Sequence, residues 1–328
     1  MKQTLLSISQ IYAKGKENLE KRGSKWEYPP DSNIGASVRL NRKYLDSLFF
    51  ETKFFDPVEV DTSFPIFGIT LRTPVFCSPI SKADYMLDTD LAEIAKGVSK
   101  AGALMMLGIG GSHELQGAID AGAPVVKMVK PYRETDLIYK KVRDAENRGC
   151  VAVGMDIDHF YGRLRGDIVD RAEAFGPQST TDLKELISQA KLPFIIKGVL
   201  SVSDAEKAAQ LGASTIIVSN HGRGAIDFSV PSMIALPRIV ESVGNTLTVL
   251  VDTGFKTGND VLKGLAFGAN AVGFASSMIL ACAAGGAAGV ELLINEITAE
   301  LRRTMAATGC PDLKAINRAI ISQMPPIY

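Results

Sequence analysis

The residues best suited to chemistry stand at the ends of short apolar runs. Ser214-Thr215-Ile216-Ile217-Val218 leads directly into Ser219-Asn220-His221-Gly222-Arg223-Gly224. Val151 to Asp156, Phe194 to Lys197 and Thr248 to Asp252 break off in the same way at a charged residue. Such β-branched runs without alternation fit strands covered on both faces. In α/β proteins the carboxyl ends of parallel strands carry the ligand site. His221 is one of three histidines, with His113 and His159. Imidazole titrates near neutral pH, so His221 is a candidate acid or base, although a lone histidine is more often structural.

The elements that must position these residues follow a rhythm. Apolar runs occur at Val75–Ser78, Ala103–Leu107, Val125–Met128, Val151–Asp156, Phe194–Lys197, Thr215–Ser219, Thr248–Asp252 and Ala271–Phe274. Helical signals lie between them. Thr89 or Asp90 caps a helix that closes at Gly102, Ser203-Asp204 caps Ala205 to Leu211, and Asn259-Asp260 caps Val261 to Ala266. Eight strands alternating with helices is the count of a (β/α)₈ TIM barrel, typically about 250 residues. An open doubly wound sheet is the rival, but Gly108-Ile109-Gly110-Gly111 is only a weak look-alike of its glycine fingerprint. Residues 1–73 read as a cap: a helix over Ile8 to Lys21, a turn-prone stretch from Gly23 to Gly35, a helix over Ser37 to Phe50, and a hairpin pairing Val58–Val60 with Ile66–Ile69. Residues 74–328 hold the barrel, in one structural domain with the cap. Its mouth would gather Ser78, Pro79, Gly108, Lys127, Asp156, Lys197, Ser219, His221, Asp252 and Gly254. The long connection from Ile157 to Gln178, with His159, Tyr161, Arg163 and Arg165, exceeds usual loop lengths and suggests a lid or binding loop.

Composition narrows the partners. Lys plus Arg and Asp plus Glu are both 36, so the net charge is zero. With no long basic block, nucleic acid and anionic membrane surfaces are not expected as partners. We find no uninterrupted apolar span of about twenty residues and no signal peptide, so a membrane location is not expected. Cys77, Cys150, Cys282 and Cys310 are scattered without metal-type spacing, which fits reduced thiols in a cytoplasmic protein and no metal site.

Ile195-Ile196-Lys197-Gly198-Val199, Ile216 to Gly222, and Val251-Asp252-Thr253-Gly254 resemble the FMN-dependent 2-hydroxy-acid dehydrogenase and oxidase family, which includes glycolate oxidase, lactate oxidase and mandelate dehydrogenase. The likeness runs from about Pro74 to Ile320, is strongest from Pro193 to Ala271, and is clear again at Met305 to Cys310. It implies FMN across the barrel mouth and oxidation of a small-molecule 2-hydroxy acid or related substrate. His221 would be the base and flavin N5 the electron acceptor. Asp156 would orient the imidazole, and Lys197 would lie beside flavin N1 and O2, where reduction places negative charge. Ser78, Pro79, Gly108, Lys127, Ser219, Gly222, Asp252, Gly254, Lys256, Ala275 and Ser276 would contact the cofactor. A homo-oligomer, tetramer or octamer, is implied as well.

The departures bear on the substrate. Gly224 stands where the family carries an arginine that clamps the substrate carboxylate, with Arg223 one residue early. A second arginine is expected after the strand-four acid, but the run is Asp156-Ile157-Asp158-His159. Arg223, His159, Arg163 and Arg165 are therefore the substrate-binding candidates. Lys127-Met128-Val129 replaces Gln-Leu-Tyr, putting a lysine in a flavin-facing place and removing a substrate-facing tyrosine. Gly154 replaces a threonine. At the phosphate end, Lys256 and the N–H groups around Ala275-Ser276 stand in for arginines. A non-redox isomerase or lyase on the same barrel is the alternative, using His221 and Asp156 as acid and base with FMN or a phosphorylated substrate. Lys127 and Lys197 would then stabilise an enolate from one pocket.

Overall fold

The computed structural model describes residues 6–24, 35–81, 87, 90–165, 168–170, 173–222 and 225–323, with the backbone alone at 163–165 and 168–170. Eight parallel strands close into a barrel in sequence order. They are β1 (Val75–Ile80), β2 (Leu104–Leu107), β3 (Val125–Val129), β4 (Ala152–Asp156), β5 (Phe194–Val199), β6 (Thr215–Val218), β7 (Thr248–Asp252) and β8 (Ala271–Phe274). Two helices precede them, α1 (Ile8–Lys21) and α2 (Ala36–Asp46). One helix follows each strand: α3 (Leu91–Lys100), α4 (Ser112–Asp120), α5 (Thr135–Asn147), α6 (Thr180–Gln189), α7 (Val202–Gln210), α8 (Ser232–Val243), α9 (Gly258–Ala266) and α10 (Ser276–Ala307). This is the (β/α)₈ architecture that the strand count implies.

Side-chain alternation along the strands divides the core in two. Phe76, Leu104, Met106, Val126, Met128, Ala152, Ile195, Ile217, Leu250 and Ala271 fill the barrel interior. Val75, Met105, Val125, Val129, Val153, Ile196, Ile216 and Val251 face the helices. Continuing the inward phase to the carboxyl ends brings Ser78, Lys130, Asp156, Lys197, Ser219 and Asp252 to the mouth. The polar layer is thus the last turn of the same register that builds the apolar interior.

Helix starts follow capping chemistry more closely than the sequence reading placed them. Asp90 caps α3 as expected, its carboxylate accepting from Ala92 N at 2.8 Å. For α7 and α9 the caps are Ser201 and Thr257, upstream of the expected residues. The acids Asp204 and Asp260 sit three residues inside, the place an acid takes in a capping box.

The cap departs from expectation in two places. Helix α2 ends at Asp46, and Leu48–Phe50 forms a strand antiparallel to Ile321–Gln323. Pairing with the far end of the chain overrides a helical pattern that had extended to Phe50. The hairpin joins Phe64–Ile66 to Ile69–Leu71, and Val58–Val60 takes no part. Phe64, Ile66 and Leu71 pack on Phe76, Leu104 and Met106, closing the barrel opposite the mouth.

Helix α10 is long and apolar enough to cross a membrane by composition, with a mean hydropathy of 1.8 over its best window. It is a core helix here: 67% of that window is buried, and it packs against α1, α3 and α9. It also breaks at Gly285-Gly286, whose backbone is not helical.

Candidate active site

His221 sits in the turn after β6, held by its own flanks. Its backbone has φ 50°, and its N–H bonds Ser219 Oγ at 3.2 Å. Asn220 Oδ1 accepts from Gly222 N and from Asn41 Nδ2, both at 3.0 Å. The rest of the turn is tied to α2 by Asp227, whose carboxylate accepts from the N–H groups of Gly35, Ala36 and Ser37 at 2.6–3.2 Å. A non-glycine residue in the left-handed region is a strained position of the kind found at functional sites.

Both nitrogens of the His221 ring are engaged. Nδ1 bonds the carboxylate of Asp158. Nε2 lies 2.8 Å from Lys197 Nζ and 3.4 Å from Asp156 Oδ1. Lys197 is 1% exposed and also donates to Ser219 Oγ at 2.8 Å. Its ammonium lies 3.5 Å from Asp252 and 3.8 Å from Asp156. Asp252 in turn accepts from Ser78 Oγ at 3.0 Å.

The carboxylate on Nδ1 is Asp158, while Asp156, expected to orient the imidazole, stands on the Nε2 side of the ring at 3.4 Å. Asp156 is held by a residue the sequence reading missed, Lys130, at 2.7 Å. The same ammonium lies 2.6 Å from His159 Nδ1. His159 is 4% exposed, and its ring lies against that of His221 with centroids 4.3 Å apart. Asp158 and His159 enter through a turn of 3₁₀ helix over Ile157–His159 that folds the chain back across the mouth. Donor atoms of Asp156, His159 and His221 lie within 4.8 Å of one another, a spacing suited to a cation, but the Lys130 ammonium already engages two of these residues.

Electrostatics separates the two histidines. Burial pulls both rings toward the neutral form. For His221, the charge of Asp158 and hydrogen bonds to Asp156 and Asp158 outweigh burial and the Lys197 charge, so its pKa is raised. For His159, burial is reinforced by the His221 and Lys130 charges, and its pKa falls to about 2. Burial alone would raise Asp158, but the His221 charge and hydrogen bond bring it down to about 2. Asp156 is likewise held well below the usual carboxylate range, with Lys130 the first influence opposing burial.

Lys127 does not join this group. Its strand neighbours Val125 and Val129 face the helices, and so does Lys127. It lines a separate cavity with Leu115, Lys141 and Asp144, and its Nζ donates to Gly108 O at 2.6 Å. Burial, aided by the Lys141 charge, lowers its pKa to about 8. The inward residues of this strand are Met128 and, just beyond it, Lys130, a period-two signal that was open to sequence reasoning. Gly154, in the threonine's place, has no room for a side chain, since a Cβ there would collide with the backbone carbonyl of Ile195.

Of the remaining candidates, Ser78, Pro79, Gly108, Ser219, Gly222, Asp252 and Gly254 lie at strand ends around the mouth. Thr253 takes φ 82°, rare for a β-branched residue, and bonds Asp252 Oδ1 at 2.8 Å. Lys256 is exposed, its carbonyl accepting from Tyr12 at 2.6 Å. Ala275 and Ser276 open α10, whose N-terminus has no side-chain cap. The backbone of Arg163 and Arg165 belongs to a small hairpin with Ile168–Asp170 in the long connection. Their side chains, and Arg223 entirely, lie outside the described residues.

Known proteins can be set beside this geometry. The family model described as FMN-dependent dehydrogenase matches residues 22–174 and 169–323. A 2-hydroxyacid oxidase of Dictyostelium discoideum is 28% identical over 352 residues, covering 97% of this chain and 90% of its own. The 4-hydroxymandelate oxidase of Amycolatopsis orientalis is 28% identical over 321 residues, covering 88% of this chain and 90% of its own. A solved structure of mandelate oxidase with (S)-2-phenylpropionate superposes with a TM-score of 0.86 at 26% identity, over 99% of this chain and all of that one.

The residues present suit FMN. Lys197 supplies a buried ammonium at the mouth, a charge suited to a flavin ring that becomes anionic on reduction. The uncapped start of α10 offers N–H groups to a phosphate. With the closed barrel, this donor set and a family match spanning nearly the whole chain, the protein belongs to the FMN-dependent dehydrogenase family.

Proposed function

We propose that His221, Asp158 and Lys197 carry the oxidation of a 2-hydroxy acid that bears a large apolar substituent. The enzyme is an FMN-dependent oxidoreductase of the 2-hydroxy-acid oxidase family, and bound FMN supplies the acceptor for the two electrons that leave the substrate. His221 Nε2, opposite the nitrogen held by Asp158, takes the substrate's proton. Asp158 keeps the ring in the Nδ1–H tautomer and stabilises the imidazolium that forms. Lys197 would hold the bound flavin and offset the negative charge it gains on reduction. The observation that carries this reading is the division of His221 between a carboxylate on Nδ1 and an ammonium on Nε2, which makes Nε2 the basic nitrogen.

The substrate's bulk is read from a cavity of about 430 Å³ beside the base. Its walls include Ile157, Phe160, Tyr161, Leu200 and Ile226, and Asp158 lines it as well. This apolar wall, opposite a polar lining of Asp158, Ser201, Asp204, Asn220 and Ser229, suits an aryl or branched alkyl group, in keeping with the mandelate and hydroxymandelate names among the relatives. The non-redox alternative gains no support, and its pair of lysines facing one pocket does not exist, because Lys127 faces the helices.

The test is the absorbance of the FMN-loaded protein under anaerobic addition of mandelate, lactate and glycolate. Bleaching by mandelate at lower concentrations than by glycolate is expected, and its loss in His221→Ala. A flavin that stays oxidised with every 2-hydroxy acid tried would defeat the activity, and a preference for glycolate would defeat the assigned bulk.

A further inference from the structure

The unusual member of the site is His159. Lys130 can only donate, and its ammonium contacts His159 Nδ1 at 2.6 Å and Asp156 Oδ2 at 2.7 Å. His159 Nδ1 must therefore present its lone pair. Burial and the neighbouring positive charges keep the ring neutral against the pull of Asp156 and Asp158. A neutral ring that accepts at Nδ1 carries its proton on Nε2. That nitrogen is buried and has no hydrogen-bond partner among the described residues. Buried donors are almost always satisfied, so an orphan beside the base marks a place for a ligand's acceptor. His221 and His159 are thus neighbouring rings with opposite duties, one offering a lone pair and the other an N–H.

We infer that His159 is a substrate-binding donor whose Nε2–H, fixed in that tautomer by Lys130, hydrogen-bonds a carboxylate oxygen of the 2-hydroxy acid deprotonated by His221. The inference rests on the reading of the site given above. Lys130 is the positioning residue. It follows Val126 and Met128 in the inward phase of the third strand, and it acts on the substrate through His159.

Two measurements test it. In the FMN-loaded protein labelled with ¹⁵N-histidine, three side chains report. His159 is expected to show a protonated Nε2 and an unprotonated Nδ1, unchanged between pH 5.5 and 8.5, while Lys130, Asp156, Asp158 and His221 surround it. Lys130→Arg keeps this pattern and Lys130→Met loses it. A protonated Nδ1 in the wild type, or a ring that titrates near pH 6.5, would overturn the inference without touching the oxidation itself. The second measurement titrates the flavin absorbance with 2-phenylpropionate, a carboxylate that lacks the reacting hydroxyl. His159→Phe is expected to weaken this binding on the order of tenfold or more, as for a hydrogen bond to a charged group, and His159→Gln, which retains an N–H, to recover much of it. Equal affinity in wild type and His159→Phe would also overturn it. Failure of every 2-hydroxy acid to bleach the wild-type flavin would count against the proposed oxidation instead.

Discussion

Asp158→Asn isolates the step on which the mechanism turns. The wild-type carboxyl is held at about 2 against an ordinary 3.8, with burial opposing and the His221 charge the first of the influences that overcome it. At 1.36 kcal/mol per tenfold, a shift of this size is worth about 2 kcal/mol to the carboxylate. His221 provides the leading part of this, so imidazolium stabilisation of about that order leaves with the charge. The proton reaches His221 in the transition state, so kcat/KM should fall on the order of ten- to a hundredfold. The same change should move the acid limb of the pH profile. Asp158 raises the His221 pKa in the wild type, so the neutral base is populated only above the ordinary histidine range. Without the carboxylate the limb should shift to lower pH even as the plateau drops. Asp156→Asn is the comparison, since Asp156 stands 3.4 Å from Nε2 and is principally engaged by Lys130. A limb that stays in place in Asp158→Asn, or one that moves further in Asp156→Asn, would refute the assignment of Asp158 to Nδ1.

Two further predictions concern stability. Asp227→Ala removes the acceptor for three N–H groups at the start of α2 and should cost about 1–2 kcal/mol at pH 7, as loss of a helix cap does. The Asp227 carboxyl lies below its usual range because its backbone hydrogen bonds, that to Ser37 first, outweigh burial. A depressed folded-state pKa contributes stability that is present above about pH 4 and lost as the pH falls, so the deficit should shrink in thermal melts at pH 3; an equal deficit at both pH values would contradict this. Gly15→Leu should detach α1 from α10, since even a Cβ at Gly15 would collide with the Leu280 backbone; a destabilisation of about 1–3 kcal/mol is expected for such overpacking, and an unchanged denaturation midpoint would show that the helices do not meet there.

The barrel was legible because buried parallel strands leave a plain mark. Eight short apolar runs alternating with helical signals fit few architectures besides a closed barrel. What the sequence did not show was phase. Lys127 and Lys130 both end an apolar stretch, and a lysine buried under helices looks the same on paper as one at the mouth. Only the alternation Val126, Met128, Lys130, set against the barrel interior, separates them. Asp158 was hidden for a different reason. It lies beyond the strand, and its reach to His221 depends on a single turn of 3₁₀ helix that no periodicity announces. The Leu48–Phe50 strand was missed because its partner, Ile321–Gln323, is at the other end of the chain.

These corrections change the chemistry as well as the map. Around His221 stand three carboxyl groups, Asp156, Asp158 and Asp252, and two ammonium groups, Lys130 and Lys197, all within a linked set of contacts. The acids outnumber the lysines by one, and His159 stays neutral. The missing positive charge is supplied when His221 takes a proton, so the site is closest to balance in the state that follows proton abstraction. A barrel mouth arranged in this way favours the product side of the step its base performs. That bias comes from Lys130 and Asp158 together: the first neutralises Asp156, leaving the second free to serve the imidazolium.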